Sequence, residues 1–181
     1  NKSLNFPILK NKNILISCGA TFEKIDDARA ITNLSSGKMG LNIVNEAYAL
    51  GANVTLIYGR TEKLPPSGIN CIYAPNHLLM NKYVKENAKK NDIFISVAAI
   101  SDYIPKTISG KLKKSNNKLS LEFQQSSDIL LETASEFNNL FCVGFSAESE
   151  NIIKNAQAKL KNKNLDMIVA NSINESMGQN S

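Results

Sequence analysis

Two hydroxyls, a glycine and a lysine stand together in Asn33-Leu34-Ser35-Ser36-Gly37-Lys38-Met39-Gly40, just before and inside the first turn of a segment with helical period. Helix N-terminal amides, the positive end of the helix dipole and short side-chain donors together favour an anion such as phosphate. A helix cap needs one serine and has no use for Gly37, so Ser35, Ser36, Gly37 and Lys38 read as a phosphate-binding set. A second small-residue loop, Ser17-Cys18-Gly19-Ala20-Thr21, follows the first apolar run, and little side chain around Gly19 would keep a phosphate from the backbone N–H groups. Neither G-x-G-x-x-G nor G-x-x-x-x-G-K-[ST] occurs, so a standard dinucleotide site and a P-loop are both unsupported.

Two further segments carry groups suited to the rest of a nucleotide. In Ala98-Ala99-Ile100-Ser101-Asp102-Tyr103-Ile104-Pro105 an apolar run ends in an acid before proline turns the chain. Asp102 there can accept hydrogen bonds from a base or sugar, hold magnesium through one carboxylate with substrate phosphates, or simply form a turn. Val143-Gly144-Phe145-Ser146-Ala147-Glu148 is another strand end, followed by Lys159 and Lys163 one helical turn apart. A lysine pair at that spacing is either a solvated face or a clamp on a polyphosphate lying along the helix.

These segments have to be positioned by something. Short apolar runs at 13–17, 53–58, 71–73, 92–100, 141–145 and 166–170 alternate with helix-period segments at 38–50, 76–90, 129–137 and 150–163. That rhythm predicts an α/β, Rossmann-like fold, a mostly parallel sheet with helices on both faces. The run Ile93-Phe94-Ile95-Ser96-Val97-Ala98-Ala99-Ile100 is apolar on both parities and is expected mid-sheet. In 38–50 the residues Gly40, Ile43, Val44, Ala47 and Leu50 share a face and Gly51 stops the helix, while Ser127-Asp128 caps the helix from Ile129. In such sheets ligands bind beyond the carboxyl ends of the strands, where all four segments fall.

The stretch 106–125 breaks the rhythm. It holds Lys106, Lys111, Lys113, Lys114 and Lys118 with no acid before Glu122, and Lys118-Leu119-Ser120-Leu121-Glu122-Phe123-Gln124 alternates polar and apolar after Ser115-Asn116-Asn117. The expectation is an antiparallel arm, about 104–126, standing off the sheet. A lone two-stranded arm is marginal, so pairing with a second copy over Leu119, Leu121 and Phe123 predicts a homodimer.

Composition narrows the class. The 181 residues suit one domain spanning 1–181, and 43% hydrophobic with 20% charged residues excludes a disordered chain. No apolar stretch approaches the roughly 18 to 20 residues that span a bilayer. The first residues, Asn1 to Pro7, carry neither a signal-peptide core nor an Arg-rich amphipathic pattern, so a soluble, cytoplasmic protein is expected. A net charge of +5 suits an anionic ligand without requiring nucleic acid, and only Tyr103 and Phe123 lie near the lysine-rich arm as stacking groups. Cys18, Cys71 and Cys142 lack metal-ligand spacing and read as buried, reduced thiols; His77 reads as a surface or helix-start residue.

Taken in order, these segments resemble the phosphopantothenate–cysteine ligase family, the second half of bacterial bifunctional coenzyme A biosynthesis proteins. The resemblance runs from Ile14 to about Ser181. It rests on Ser17-Cys18-Gly19-Ala20-Thr21 with Ile25-Asp26, on Ile31-Thr32-Asn33-Leu34-Ser35-Ser36-Gly37-Lys38-Met39-Gly40, and on Ala98-Ala99-Ile100-Ser101-Asp102-Tyr103. It continues through Lys111-Leu112-Lys113-Lys114, Ser127-Asp128-Ile129, Val143-Gly144-Phe145-Ser146-Ala147-Glu148 and Leu165-Asp166-Met167-Ile168-Val169-Ala170-Asn171. Ser127 departs from the proline of many members, and the first loop has Cys18-Gly19-Ala20 where two glycines or Gly-Pro are commoner.

The resemblance implies CTP-dependent, magnesium-assisted ligation of 4′-phosphopantothenate with L-cysteine through an acyl-cytidylate. It implies that Asn33 handles that intermediate and that Lys111, or Lys113 in the neighbouring register, is the lysine of a mobile flap over the site. It further implies that Asp102, Phe145, Lys159 and Lys163 contact CTP, that Ser126, Ser127, Asp128 and Ile129 form the loop beside it, and that a flavin-dependent decarboxylase domain is the fused or associated partner. The competing enzyme reading is an NAD(P)-dependent reductase in which Arg60, after the second strand, reads a 2′-phosphate.

Overall fold

The apolar runs become the strands of one parallel sheet. The computed structural model describes residues 7–114 and 118–172. Its elements, in chain order, are β1 (Asn13–Cys18), β2 (Phe22–Lys24), β3 (Ala30–Thr32), α1 (Lys38–Ala49), β4 (Asn53–Tyr58), β5 (Asn70–Tyr73) and α2 (His77–Ala88). They continue as β6 (Ile93–Ser96), β7 (Tyr103–Pro105), β8 (Phe123–Gln125), α3 (Ile129–Glu136), β9 (Phe141–Glu148), α4 (Ile152–Asn162) and β10 (Met167–Ser172). The main sheet runs β10-β9-β6-β1-β4-β5, and every pair in it is parallel. The chain builds outward from β1 to β5, crosses through α2, and builds outward again from β6, so the order reverses between β1 and β6. That reversal opens a crevice at the carboxyl ends of the two central strands.

Burial on both faces explains why the central strands carry apolar residues on both parities. Ile14, Ile16 and Cys18 of β1 pack with Leu41, Val44 and Ala47 of α1, Ala52, and Val54 and Leu56 of β4. Leu15 points the other way, into a cluster with Met80, Val84 and Ala88 of α2, Phe94, Ile129, Leu130 and Ala134 of α3, and Leu165. Leu160 of α4 packs against that second cluster, so α1 covers one face and the other three helices lie on the opposite one. Leu15 and Phe94 have no exposure at all, and truncating either to alanine costs about 2–5 kcal/mol by lost transfer and cavity formation.

The helix ends follow their residues. Asn76 Oδ1 accepts the Leu79 N–H at 2.9 Å to cap α2, Asp128 Oδ1 accepts the Leu131 N–H at 3.0 Å to cap α3, and Gly51 at φ 90° ends α1.

Three expectations need correction. The run expected as a strand over 92–100 is regular strand only to Ser96; beyond it Val97 and Ala99 still donate to the carbonyls of Ser17 and Gly19 and Ala99 keeps an isolated parallel bridge to Ala20, before the chain turns. His77 starts a helix, one of its two expected places, and is only 6% exposed, whereas Cys71, expected to be buried like Cys18 and Cys142, is only partly buried. The arm has its antiparallel stem, β7 with β8, yet residues 106–112 do not stand free. Thr107 Oγ1 donates to the Lys24 carbonyl at 3.2 Å and the Ile108 N–H to that of Ile25 at 2.9 Å, so this flank leans on the β2–β3 hairpin. That hairpin carries no strong alternation and was not foreseen. The expected arm turn at 115–117 lies outside the described residues.

Candidate active site

At the crevice lies a cavity of about 410 Å³ walled by four segments. The turn into α1 supplies Asn33 and Ser35 through Gly40; the end of β6 and the chain after it supply Ser96 through Ile100 and Asp102; the turn into α3 supplies Ser126 through Leu130; Phe145, Ala147, Lys159, Lys163 and Asn171 complete it. Every residue assigned to a site from the sequence lines this cavity except Gly19 and Lys111. Arg60, on which the reductase reading depends, is also outside the lining; its backbone is paired with Ala20.

The turn into α1 is built to leave donors free. Gly37, not a serine, is the N-cap, in the left-handed region at φ 74° with no side-chain cap bond. Ser35 Oγ accepts the Gly37 N–H and Ser36 Oγ the Lys38 N–H, both at 3.3 Å. The first helical bond is from the Leu41 N–H to the Gly37 carbonyl at 3.1 Å, so the amides of Met39 and Gly40 have no acceptor among the described residues. Unpaired amides at the positive end of a helix, beside the charge of Lys38, make an anion site.

Gly19 serves this turn from behind. A Cβ on Gly37 would lie 2.5 Å from Thr61 Cγ2 and 3.3 Å from Gly19 Cα, and one on Gly19, at φ 77°, would lie 2.5 Å from the Arg60 carbonyl oxygen. Both positions therefore require glycine, and Gly19 lies outside the lining because it packs under the loop that the lining is made of.

Asn33 is tethered through Nδ2, which donates to the Ile100 carbonyl at 3.2 Å, leaving its second N–H and its amide oxygen for a ligand. The Asp102 side chain is exposed, and its backbone carbonyl accepts the Ser126 N–H at 2.9 Å. Ser126 Oγ in turn donates to the Ser101 carbonyl at 2.7 Å, which locks the two loops together. No group of three or more His, Cys, Asp or Glu able to hold a metal exists among the described residues. Magnesium, which keeps several waters and takes one or two carboxylates beside substrate phosphates, nevertheless fits a lone acid such as Asp102.

On the opposite wall, Lys163 Nζ meets Asp128 Oδ2 at 2.6 Å and Lys159 Nζ donates to the Phe145 carbonyl at 2.8 Å. Burial, then the neighbouring charge of Lys163, pulls the Lys159 pKa below its usual value, with Glu148, Asp128 and Asp102 opposing. Glu148 is held below the ordinary carboxylate range, first by the Ser146 hydroxyl at 2.7 Å and then by Asn155.

Two networks escaped the sequence reading. His77 Nε2 donates to the Ser127 carbonyl at 2.8 Å, the His77 backbone N–H donates to buried Glu23 at 2.8 Å, and Asn81 Nδ2 reaches Ser127 Oγ and Glu132, each at 3.2 Å. These bonds fix the loop beside the cavity from behind. The second network, around Asp26, lies under the lysine-rich flank. Asp26 belongs to the Ile25-Asp26 stretch of the family resemblance, but only its partners show what it does.

The chain and its fold have relatives among known proteins. The chain is 42% identical over 170 residues to a Vibrio cholerae protein described as coenzyme A biosynthesis bifunctional protein CoaBC, covering 92% of this chain and 43% of that one. A Borreliella burgdorferi protein of the same description is 41% identical over 169 residues, covering 91% and 43%. The chain thus spans less than half the length of these relatives. Among solved structures, the C-terminal domain of a coenzyme A biosynthesis bifunctional protein CoaBC superposes with a TM-score of 0.83 at 36% identity, over 92% of this chain and 80% of that one. A Cab2 variant in complex with phosphopantothenate-cysteine shares the fold, with a TM-score of 0.76 at 16% identity over 91% of this chain and 73% of that one. The fold is thus that of a known group: matching over residues 9–181, the chain belongs to the DNA/pantothenate metabolism flavoprotein C-terminal domain family.

Proposed function

We propose that this chain joins 4′-phosphopantothenate to L-cysteine using CTP, through an acyl-cytidylate. The observation that carries the reading is that one cavity offers an anion-binding helix start on one wall and the Lys159–Lys163 pair on another, with Asn33 in its lining. The coenzyme A biosynthesis relatives and the phosphopantothenate-cysteine complex of the Cab2 fold neighbour support it.

In the first step a carboxylate oxygen of 4′-phosphopantothenate bonds to the α-phosphorus. The bond from that phosphorus to the bridging oxygen breaks, and pyrophosphate leaves with the electron pair. Ser35, Ser36, Lys38 and the free α1 amides take an anionic phosphate, while Lys159 and Lys163 neutralise the triphosphate. Asp102 would hold magnesium with the substrate phosphates, and the ion would supply further charge neutralisation there. In the second step the cysteine amine bonds to the acyl carbon, CMP leaves with the acyl C–O pair, and the amine proton passes to solvent. Asn33, oriented by Ile100, offers an N–H and a carbonyl to this intermediate. Lys111, a long cation on the arm, covers the site during phosphoryl displacement and retreats with the product.

The reading includes a homodimer, because Leu119 and Phe123 of the arm are 63% and 40% exposed and a second arm would cover them. It also includes a cytoplasmic address and a flavin-dependent decarboxylase as the other half of a bifunctional protein. The test is pyrophosphate release with CTP, magnesium, 4′-phosphopantothenate and cysteine, beside ATP and beside Asn33→Ala. Turnover with CTP, and a variant that accumulates acyl-cytidylate without product, supports it. Equal turnover with ATP removes the preference for CTP, and no release with either nucleotide from folded protein overturns the ligase.

A further inference from the structure

We propose that Asp26 is a positioning residue for Lys111, clamping the peptide next to it onto the β2–β3 hairpin. The inference rests on the reading of Lys111 given above and concerns how that lysine is held. Asp26 is 1% exposed, and its two oxygens do different things. Oδ1 accepts the N–H groups of Ala28 and Arg29, both at 2.7 Å, which closes the hairpin's own turn. Oδ2 accepts the Leu112 N–H at 3.0 Å, across 86 residues of sequence, and pairs with the Arg29 guanidinium. That guanidinium also donates to the Leu112 carbonyl at 3.3 Å. Leu112 is thus gripped at both its N–H and its C=O, in the two peptide groups that flank it, by one acidic and one basic side chain.

A carboxylate serving only as a turn former needs one oxygen; the second is committed to the arm. The grip is placed where it matters for chemistry, since Lys111 precedes Leu112 directly. Gly110, at φ 78° with open space around it, lets the chain swing just before the gripped peptide. The same hairpin runs straight from β3 into Asn33, so Asn33 and Lys111 are referred to one platform. Burial opposes the charge on Asp26, but the amides of Ala28, Leu112 and Arg29 and the Arg29 guanidinium override it and hold its pKa at about 2. The clamp therefore stays charged throughout the physiological range.

The experiment uses the full chain in four forms: wild type, Asp26→Asn, Lys111→Gln and the double variant, with Leu112→Pro as a fifth that deletes the N–H while leaving the Asp26 turn intact. Amide hydrogen exchange at Leu112 is expected about 10-fold faster in Asp26→Asn, because a charge-assisted bond is lost. The ligation kcat is expected to fall about 10- to 100-fold in both Asp26→Asn and Leu112→Pro, with KM for CTP unchanged. In the Lys111→Gln background Asp26→Asn is expected to cost less than 2-fold more, by the logic of a double-mutant cycle. Unchanged exchange at Leu112 overturns the clamp. A fall in kcat that is just as large without Lys111 overturns the positioning role alone. Wild-type kcat in Lys111→Gln overturns the catalytic reading of Lys111, and the positioning role with it.

Discussion

Lys163 Nζ lies 2.6 Å from Asp128 Oδ2, while Oδ1 of the same carboxylate caps α3 through the Leu131 N–H. One side chain thereby ties the start of α3 to the end of α4 across the mouth of the cavity, and the two duties can be separated. Asp128→Asn keeps an oxygen for the cap and loses the ion pair; Asp128→Ala loses both. Urea unfolding should show Asp128→Ala less stable than Asp128→Asn by about 1 kcal/mol, the usual worth of a cap. Equal losses would mean that the ion pair, not the cap, carries the effect.

On the proposed reading, Lys159 makes the cavity's hold on a nucleotide sensitive to alkaline pH. Its folded pKa is lowered by burial and then by Lys163, so it loses its charge at a lower pH than an ordinary lysine. The folded chain holds this proton less tightly than the unfolded chain, so Lys159 weighs against folding while both states keep it charged. That penalty fades as pH rises through the folded pKa toward the ordinary value of 10.5. The KM for CTP should rise over the same interval in the wild type. In Lys159→Gln it should be about 10-fold higher and flat with pH, for the charge is already gone. A rise of the same shape in the variant would assign the titration elsewhere.

Gly37→Ala should damage both fold and site. A Cβ in the left-handed region costs about 1–2 kcal/mol, and this one would also meet Thr61 Cγ2 at 2.5 Å. Thr61→Ser removes that methyl, so the double variant should regain the steric part of the loss in thermal or urea unfolding and keep the conformational part. Full recovery would show that backbone strain at Gly37 is negligible.

The cysteines differ in reach. Burial pushes the Cys18 thiol to about 12 and the Cys142 thiol to about 11, and both are buried, whereas Cys71 is only partly buried and its thiol is raised less. A disulfide reagent at neutral pH should therefore modify Cys71 first in the native protein. Cys18 and Cys142 should follow only as the protein unfolds, since the thiolate is the reacting species. Early labelling of Cys18 would contradict its packing under Gly40, where a Cβ would lie 2.2 Å from Cys18 Cβ.

Most of the cavity lining was legible in the residues, because each segment carries its own local signal. Ser35-Ser36-Gly37-Lys38 announces a helix start with spare donors, Ser127-Asp128 announces a cap, and apolar runs on both parities announce buried parallel strands. These are properties of a few consecutive residues, and the periods of strand and helix are enough to order them around a sheet. The corrected details are those that depend on what a residue meets. Ala98 and Ile100 look like strand but wall the cavity, because regular pairing ends at Ser96 and the chain follows β1 only through single bonds at Val97 and Ala99.

By itself, then, the sequence determined the α/β alternation, the central place of the run from Ile93, and the chemistry of the α1 and α3 starts. Only the tertiary structure decided that Gly19 backs Gly37 without facing the cavity, that His77 is buried and holds Ser127 from 50 residues away, and that Asp26 grips Leu112 from 86. The physical reason is range. Backbone periodicity and capping are settled between neighbours, whereas a buried polar group finds its partner wherever folding brings an opposite donor or acceptor, and no local pattern records where that is.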